Sequence, residues 1–326
     1  MAAECISGPC GGRKVAGLPV RRGTRTTRVG TTSAGRDASL PAGRRADYKR
    51  GDGPRRIRRS GACRGNGALS APRARVPDRL TYVGHSTLLV ELGGVRILTD
   101  PVLRERIAHI RRRVPAPAVE ELLPLDAVVI SHAHADHLDV PSLRRVAGAE
   151  QVIAPLGCAA TIRRAGTDRV VELTVGGTCT VGPIAVEAVP AEHDGRRHPL
   201  GPRIPALGFL LDGPTRIYFA GDTDLFDGMA RLAGRVDVAL LPVAGWGPRL
   251  PPGHLDPESA ARAAALIRPS VAVPIHWGTM RRVFARPDPD PRRPALAFAA
   301  AVKEHAPETA VRILMPGETM SLAAAR

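Results

Sequence analysis

Three histidines and an aspartate are packed into His132-Ala133-His134-Ala135-Asp136-His137. Imidazole nitrogens and carboxylate oxygens are the ligands that zinc, iron or manganese takes. Chance assembly of His-x-His-x-Asp-His in a chain of this length is on the order of one in a thousand, so a metal-binding reading outweighs four solvated loop residues. In an extended segment, positions 132, 134 and 136 point to one side and can converge on a common centre.

Something rigid must carry such a cluster. The run Ala127-Val128-Val129-Ile130 is wholly apolar, as a strand covered on both faces would be, and it leads directly into the histidines. Upstream, Leu80 to Val83, Thr87 to Leu92 and Val95 to Thr99 read as an antiparallel meander, with Gly93-Gly94 as a two-residue hairpin turn. Pro141 to Val146 starts a helix with proline in the first turn, where it is tolerated. Further strands are expected at 151–154, 169–173, 178–181, 184–189, 206–211, 216–220, 236–240 and 271–275. Helices are expected at 156–165 and at 257–267, the second capped by Asp256 and followed by Pro269. Strand-rich halves with interspersed helices suggest two sheets sandwiched between helices, in one domain over residues 78–326.

Charge separates that region from what precedes it. The chain has 326 residues and a net charge of +16, but residues 1–77 hold 18 Lys and Arg against 4 Asp and Glu, a net of +14. The rest is nearly neutral. The first 77 residues are rich in Arg, Gly, Ser, Thr and Pro without apolar periodicity, so they read as a disordered basic tail. Tyr48 is their only aromatic residue, which disfavours a nucleic-acid arm, and a leader included through a mistaken start codon explains the composition better. No apolar stretch reaches the length of a membrane span and no signal peptide is visible, so a cytoplasmic protein is expected. Five scattered cysteines give neither a disulfide framework nor a zinc ribbon.

The histidine motif, with Tyr82-Val83-Gly84-His85-Ser86-Thr87, Leu98-Thr99-Asp100-Pro101-Val102 and His276-Trp277-Gly278-Thr279, resembles the metallo-β-lactamase superfamily from Leu80 to about Leu322. The branch it is most similar to contains N-acyl-phosphatidylethanolamine phospholipase D and the L-ascorbate-6-phosphate lactonases. The resemblance implies an α/β, four-layer αββα sandwich with two divalent metal ions, zinc before manganese or iron. It implies that His132, His134 and His193 hold one metal, Asp136, His137 and His276 the other, and that Asp222 bridges them. His198, five residues beyond His193, is the alternative to it. The implied activity is a binuclear metal-dependent hydrolase using a metal-bridged hydroxide on a phosphodiester or lactone, with Asp136 orienting the attack. His254, in a Pro-Gly-rich loop and matching a histidine of the phospholipase branch, would contact substrate and protonate the leaving group. His85 either lines the site or only bonds to backbone, and His109 and His305 read as bystanders.

Ala135 replaces the aromatic residue usual in the phospholipase motif, and no amphipathic segment is visible for a bilayer. The expected substrate is therefore a small molecule or lipid-like compound, with no strong case for nucleic acid. The rivals are a nucleic-acid-processing enzyme on the same fold, favoured by the basic tail, and a di-iron redox protein. The globular region shows no basic stripe to support the first.

Overall fold

The computed structural model describes residues 77–198, 200–247, 250–286 and 289–323, so the expected basic tail, Pro77 apart, lies outside the described residues. Strands β1 (Arg79–Gly84), β2 (Thr87–Leu92) and β3 (Val95–Thr99) form the expected antiparallel meander. Gly93 and Gly94 both have positive φ, 59° and 85°, as the tightest hairpin turn requires. Next come β4 (Arg106–Ile107), β5 (Ile110–Arg112) and a one-turn helix α1 (Val119–Leu122). Strand β6 (Ala127–Val129) adds parallel to β3, followed by helix α2 (Val140–Arg145), β7 (Gln151–Pro155), helix α3 (Ala159–Arg163) and β8 (Val170–Leu173). A C-terminal strand, β17 (Thr319–Ser321), pairs with β1 and completes a seven-stranded sheet in the order β17-β1-β2-β3-β6-β7-β8.

The second seven-stranded sheet is built from β9 (Thr178–Val181), β10 (Ile184–Asp194), β11 (Pro205–Asp212), β12 (Ile217–Phe219), β13 (Val238–Pro242), β14 (Val271–Ile275) and β16 (Ala310–Val311). Its order is β16-β14-β13-β12-β11-β10-β9. Residues from the two sheets, among them Tyr82, Leu88, Ile97, Val186, Leu211 and Phe219, share one fully apolar core. Against the second sheet lie helix α4 (Pro257–Ile267), through Ala260, Ala261, Ala263 and Ala264, and helix α5 (Arg293–His305), through Phe298 and Val302. A separate core joins Val128 and Val152 of the first sheet, and Ile130 just past β6, to Leu143 of α2 and Ile162 of α3. The layers run helix, sheet, sheet, helix. Each fully buried Leu, Ile or Phe contributes about 1.5–3 kcal/mol over its exposed state, so these two cores fix the sheets on which the site stands.

Asp256 caps α4 as expected. Its carboxylate accepts from the Ser259 amide at 2.8 Å, while the Ser259 hydroxyl accepts from the Asp256 amide at 2.8 Å. Helix α3 is shorter than expected at both ends, starting only after Gly157, at φ 103°, and stopping before Gly166, at φ 91°. Helix α5 is absent from the sequence expectation, since it starts from Arg292 without a capping side chain and its many alanines blur the apolar face. The small sheet β15-β5-β4, whose last member β15 spans Met280–Arg282, is likewise unforeseen. Its strands are two or three residues long, and β15 pairs with a strand far upstream in the chain.

Candidate metal centre

The site residues stand where strands end. The chain leaves β6 through Ile130 into the histidine segment, β12 through Ala220-Gly221 to Asp222, and β14 directly into His276. His193 lies near the end of β10, which continues past the expected limit at Val189 and shifts register against β11 between Pro190 and Asp194. Gly221 has φ 61°, and a Cβ there would lie 2.4 Å from that of Ser131, so only glycine lets Asp222 approach the histidine loop.

Four overlapping groups of candidate ligand atoms form among the described residues. Asp100, His132 and His137 make one and His193, Asp222 and His254 another, and the other two hold most of the expected ligands. In the first of these, His134 Nδ1 lies 3.0 Å from His132 Nε2 and 3.1 Å from His193 Nε2. The second group gathers His85, Asp136, His137 and His276, with one ligand atom from each within 4.8 Å of the others. Asp222 approaches both of these sets. Its carboxylate is 4.0 Å from His132 Nε2, 3.1 Å from His137 Nε2 and 3.4 Å from His276 Nε2. The expectation that His132, His134 and Asp136 share one side of an extended segment holds for the two histidines only. The segment turns, with the His137 and Leu138 amides both bonding to the His134 carbonyl, and this swings Asp136 into the other group.

The nitrogens facing away from the centre are held. His137 Nδ1 donates to Asp100 at 2.7 Å, His193 Nδ1 to the Gly253 carbonyl at 2.7 Å and His276 Nδ1 to the Ala244 carbonyl at 2.6 Å. His132 Nδ1 meets the Ser131 hydroxyl at 2.9 Å. Bonds of this kind fix the tautomer and aim the opposite nitrogen, and metal-ligating histidines almost always have them. Asp100 was visible in the sequence only as part of a family phrase. It is fully buried, accepts from the Ser131 amide at 2.7 Å and from the Ser131 hydroxyl at 2.5 Å, and so ties the loop to His137. His85, Asp100 and His276 adopt φ of 60°, 31° and 62°, strained values for residues with a Cβ, clustered at this centre.

The electrostatics fit a bound cation. Burial pushes the His276 imidazole down to about 3 and that of His134 to about 4, which keeps both neutral, the form that ligates. Burial would raise Asp222, but His276 and His137 hold it well below the usual carboxylate range. Burial also opposes charge on His137, yet Asp222, Asp100 and Asp136 raise it well above the ordinary histidine value. Positive charge is wanted where these carboxylates meet. His137 Nε2, His276 Nε2 and Asp222 Oδ1 are buried with no hydrogen-bond partner, although the nitrogens lie 3.1 and 3.4 Å from the Asp222 carboxylate. Buried polar atoms pointed at one another without bonding are costly unless something between them is ligated. The donor set suits zinc, manganese or iron.

A cavity of about 370 Å³ opens on the centre, lined by His134, Asp136, Asp222, His254 and His276 together with Trp246, Leu250, Pro251 and Arg282. His254 Nε2 is 3.5 Å from Asp222, which raises its pKa against the opposing effect of burial. His85 is buried and its Nε2 is 3.2 Å from Asp136 Oδ2, where the Trp246 indole N–H also donates at 3.1 Å. The alternative of backbone bonding alone is thus set aside for His85. His198 is exposed and belongs to none of these groups. His305 pairs with Glu258 at 2.6 Å, joining α5 to α4. His109, expected to be a bystander, packs edge-on against Trp246 with ring centres 5.1 Å apart.

The model of the beta-lactamase superfamily domain matches residues 95–277, over half the chain. The chain belongs to the metallo-β-lactamase superfamily. A UPF0173 metal-dependent hydrolase of Opitutus terrae is 35% identical over 257 residues, covering 75% of this chain and all of the relative. An N-acyl-phosphatidylethanolamine-hydrolyzing phospholipase D of Caenorhabditis elegans is 31% identical over 225 residues, 61% of this chain and 63% of the relative. Among solved structures, a metallo hydrolase of the archaeon Ignicoccus hospitalis superposes with a TM-score of 0.57 at 29% identity, over 75% of this chain and 98% of its own. This superfamily member is accordingly a metal-dependent hydrolase with His/Asp clusters able to hold metal. Among the described residues, no helix is long and apolar enough to cross a membrane.

Proposed function

We propose that this chain is a binuclear hydrolase of small phosphodiesters or lactones, in a domain comprising residues 78–326. The observation that carries the reading is that the Asp222 carboxylate lies within 4.0 Å of ligand nitrogens from both sets, His132 of the first and His137 and His276 of the second. His132, His134 and His193 would hold one divalent ion, and Asp136, His137 and His276 the other, with Asp222 shared. Zinc is the first choice for three imidazoles and a carboxylate. When bound, two such ions lower the pKa of a water and polarise a carbonyl or phosphoryl oxygen.

The chain's own residues do the rest. His85 and Trp246 both bond Oδ2 of Asp136 and so fix the carboxylate that orients the attacking water. Asp100 holds His137, and the Gly253 and Ala244 carbonyls hold His193 and His276, so the centre is organised before substrate arrives. Against the effect of burial, Asp222 favours the protonated form of His254, which stands at the cavity wall, placed to protonate the leaving oxygen. Leu250, Pro251 and the Trp246 ring supply an apolar wall for the organic part of the substrate.

The test couples metal analysis with turnover. The purified protein is expected to hold close to two transition-metal ions per chain and to hydrolyse members of a panel of phosphodiesters, lactones and N-acyl phospholipids. Asp222→Ala should lose metal and activity together. Full metal content and activity in that variant would remove Asp222 from the centre, and turnover unaffected by complete chelation would refute the reading.

A further inference from the structure

Among the described residues, Arg282 is the strongly charged side chain of the cavity wall that the proposed reaction does not use. It ends strand β15, directly before the loop that continues to Val283, and its guanidinium lies 4.9 Å over the ring of Trp246. Gly247 packs against the same group, so that a Cβ at Gly247 would meet Arg282 Nε at 3.5 Å. The stack is itself held. The Arg282 amide bonds to the Trp246 carbonyl at 3.2 Å, His109 packs edge-on against the ring, and the indole N–H is fastened to Asp136. A flexible side chain is thereby presented to the cavity in one orientation.

No carboxylate pairs with Arg282 among the described residues. The two that share its cavity are engaged elsewhere, Asp136 with His85 and Trp246 and Asp222 with the histidines. The neighbourhood adds more positive charge. On the small sheet, Arg106, Arg111 and Arg281 are directly paired across the three strands and share one face, an arrangement of like charges that costs stability. On the other face Ile107, Ile110, Arg112 and Met280 are buried, and Arg112 donates from Nη1 and Nη2 to the carbonyls of Val102 and Val83. Arg282 shares this inner face and lies beyond its buried part, exposed at the cavity. A planar cation with free donors, sharing a cavity with a centre built to hold cations, is favourable only toward a visiting anion.

We propose that Arg282, backed by Trp246, is an oxyanion anchor, and that the substrate is a small molecule carrying a carboxylate or phosphate group at some distance from the bond that is cleaved. This rests on the hydrolase reading of the same cavity. The guanidinium fork takes the oxyanion in two parallel hydrogen bonds, the apolar wall of Leu250 and Pro251 takes the carbon skeleton, and the scissile bond is left at the histidine centre. The row of arginines on the outer face raises the local concentration of anions near the mouth.

The experiment uses the metal-loaded protein, Arg282→Ala and Arg282→Lys, with a lactone bearing a hydroxymethyl, a carboxylate or a phosphate monoester at the same ring position. Expected for Arg282→Ala is a fall of about 10- to 100-fold in the ratio of kcat/KM for an anionic lactone to that for the neutral one, the scale of a lost charge-assisted hydrogen bond, arising in KM. Arg282→Lys should recover part of the ratio by keeping charge without the fork. The larger fall identifies whether carboxylate or phosphate is the natural group. A ratio unchanged in Arg282→Ala overturns the proposal. If no lactone is turned over, the reading of the reaction fails on these substrates while the anchor is still decided by binding. Inorganic phosphate should perturb tryptophan emission with an affinity about tenfold or more weaker in Arg282→Ala, and equal affinity in both proteins overturns the anchor independently.

Discussion

Replacing Asp100 by Asn changes one atom and removes one charge, and the structure says why the centre should not tolerate it. Both carboxylate oxygens face donors. Oδ1 receives the Ser131 amide, and Oδ2 receives the Ser131 hydroxyl and the Nδ1–H of His137. A carboxylate accepts on both sides, whereas an amide has one accepting and one donating end. Whichever way the introduced carboxamide is turned, its NH₂ meets either a backbone N–H that cannot accept or the imidazole N–H. Turned to keep the backbone bond, it forces His137 to move its proton to Nε2, the atom aimed at Asp222, which costs the lone pair a metal would use. Loss of such a supporting bond typically lowers metal affinity 10- to 100-fold, about 1.4–2.7 kcal/mol. The assay is competition for zinc between the protein and a chromophoric chelator, with unfolding measured in parallel on metal-free protein. Metal-free Asp100→Asn should lose about 1–3 kcal/mol of stability for the unsatisfied buried group. Zinc affinity equal to wild type would show that Asp100 does not set the His137 tautomer, and the account of the second ligand group would fall with it.

Other outcomes follow from the same geometry. Gly221→Ala should destabilise the fold by at least about 2 kcal/mol in chemical denaturation, from a left-handed backbone and a Cβ driven into Ser131; an unchanged midpoint would contradict the close approach. Cys158 is fully buried, and burial pushes its thiol up to about 12, so peptide mapping after native treatment with a thiol reagent should find it unlabelled until the protein unfolds. Asp256→Ala should cost about 1 kcal/mol by removing the α4 cap. Because burial of Asp256 is outweighed by its bonds to Ser259 and its pKa is lowered, its contribution is present above the unfolded value of 3.8 and is lost as pH falls through the folded value, so wild type and variant should converge in acid. Removing residues 1–75 should leave the melting temperature unchanged, and a large drop would place part of that stretch in the core.

Sequence alone determined the elements whose signal is local. The hairpin at Gly93-Gly94, the buried strand before the histidines and the Asp256 cap each depend on a few neighbouring residues, and β2, β3, β9, β14 and α4 match their expected limits. The four residues of the histidine motif were legible because they are close in the chain, and His193, Asp222 and His276 because family resemblance orders them after strands. Tertiary structure decided what depends on distant segments meeting. A turn at Ala135 separates His134 from Asp136 in space although they are near neighbours in the chain, and no period-2 argument contains that turn. His85 joins Asp136 across 51 residues and Trp246 reaches Asp136 across 110. Arg106, Arg111 and Arg281 form a charged row that composition averages to near neutrality. Each of these rests on pairings that only the closed sheets bring within hydrogen-bonding distance, because side-chain interactions fall off over a few ångströms while chain separation carries no such limit.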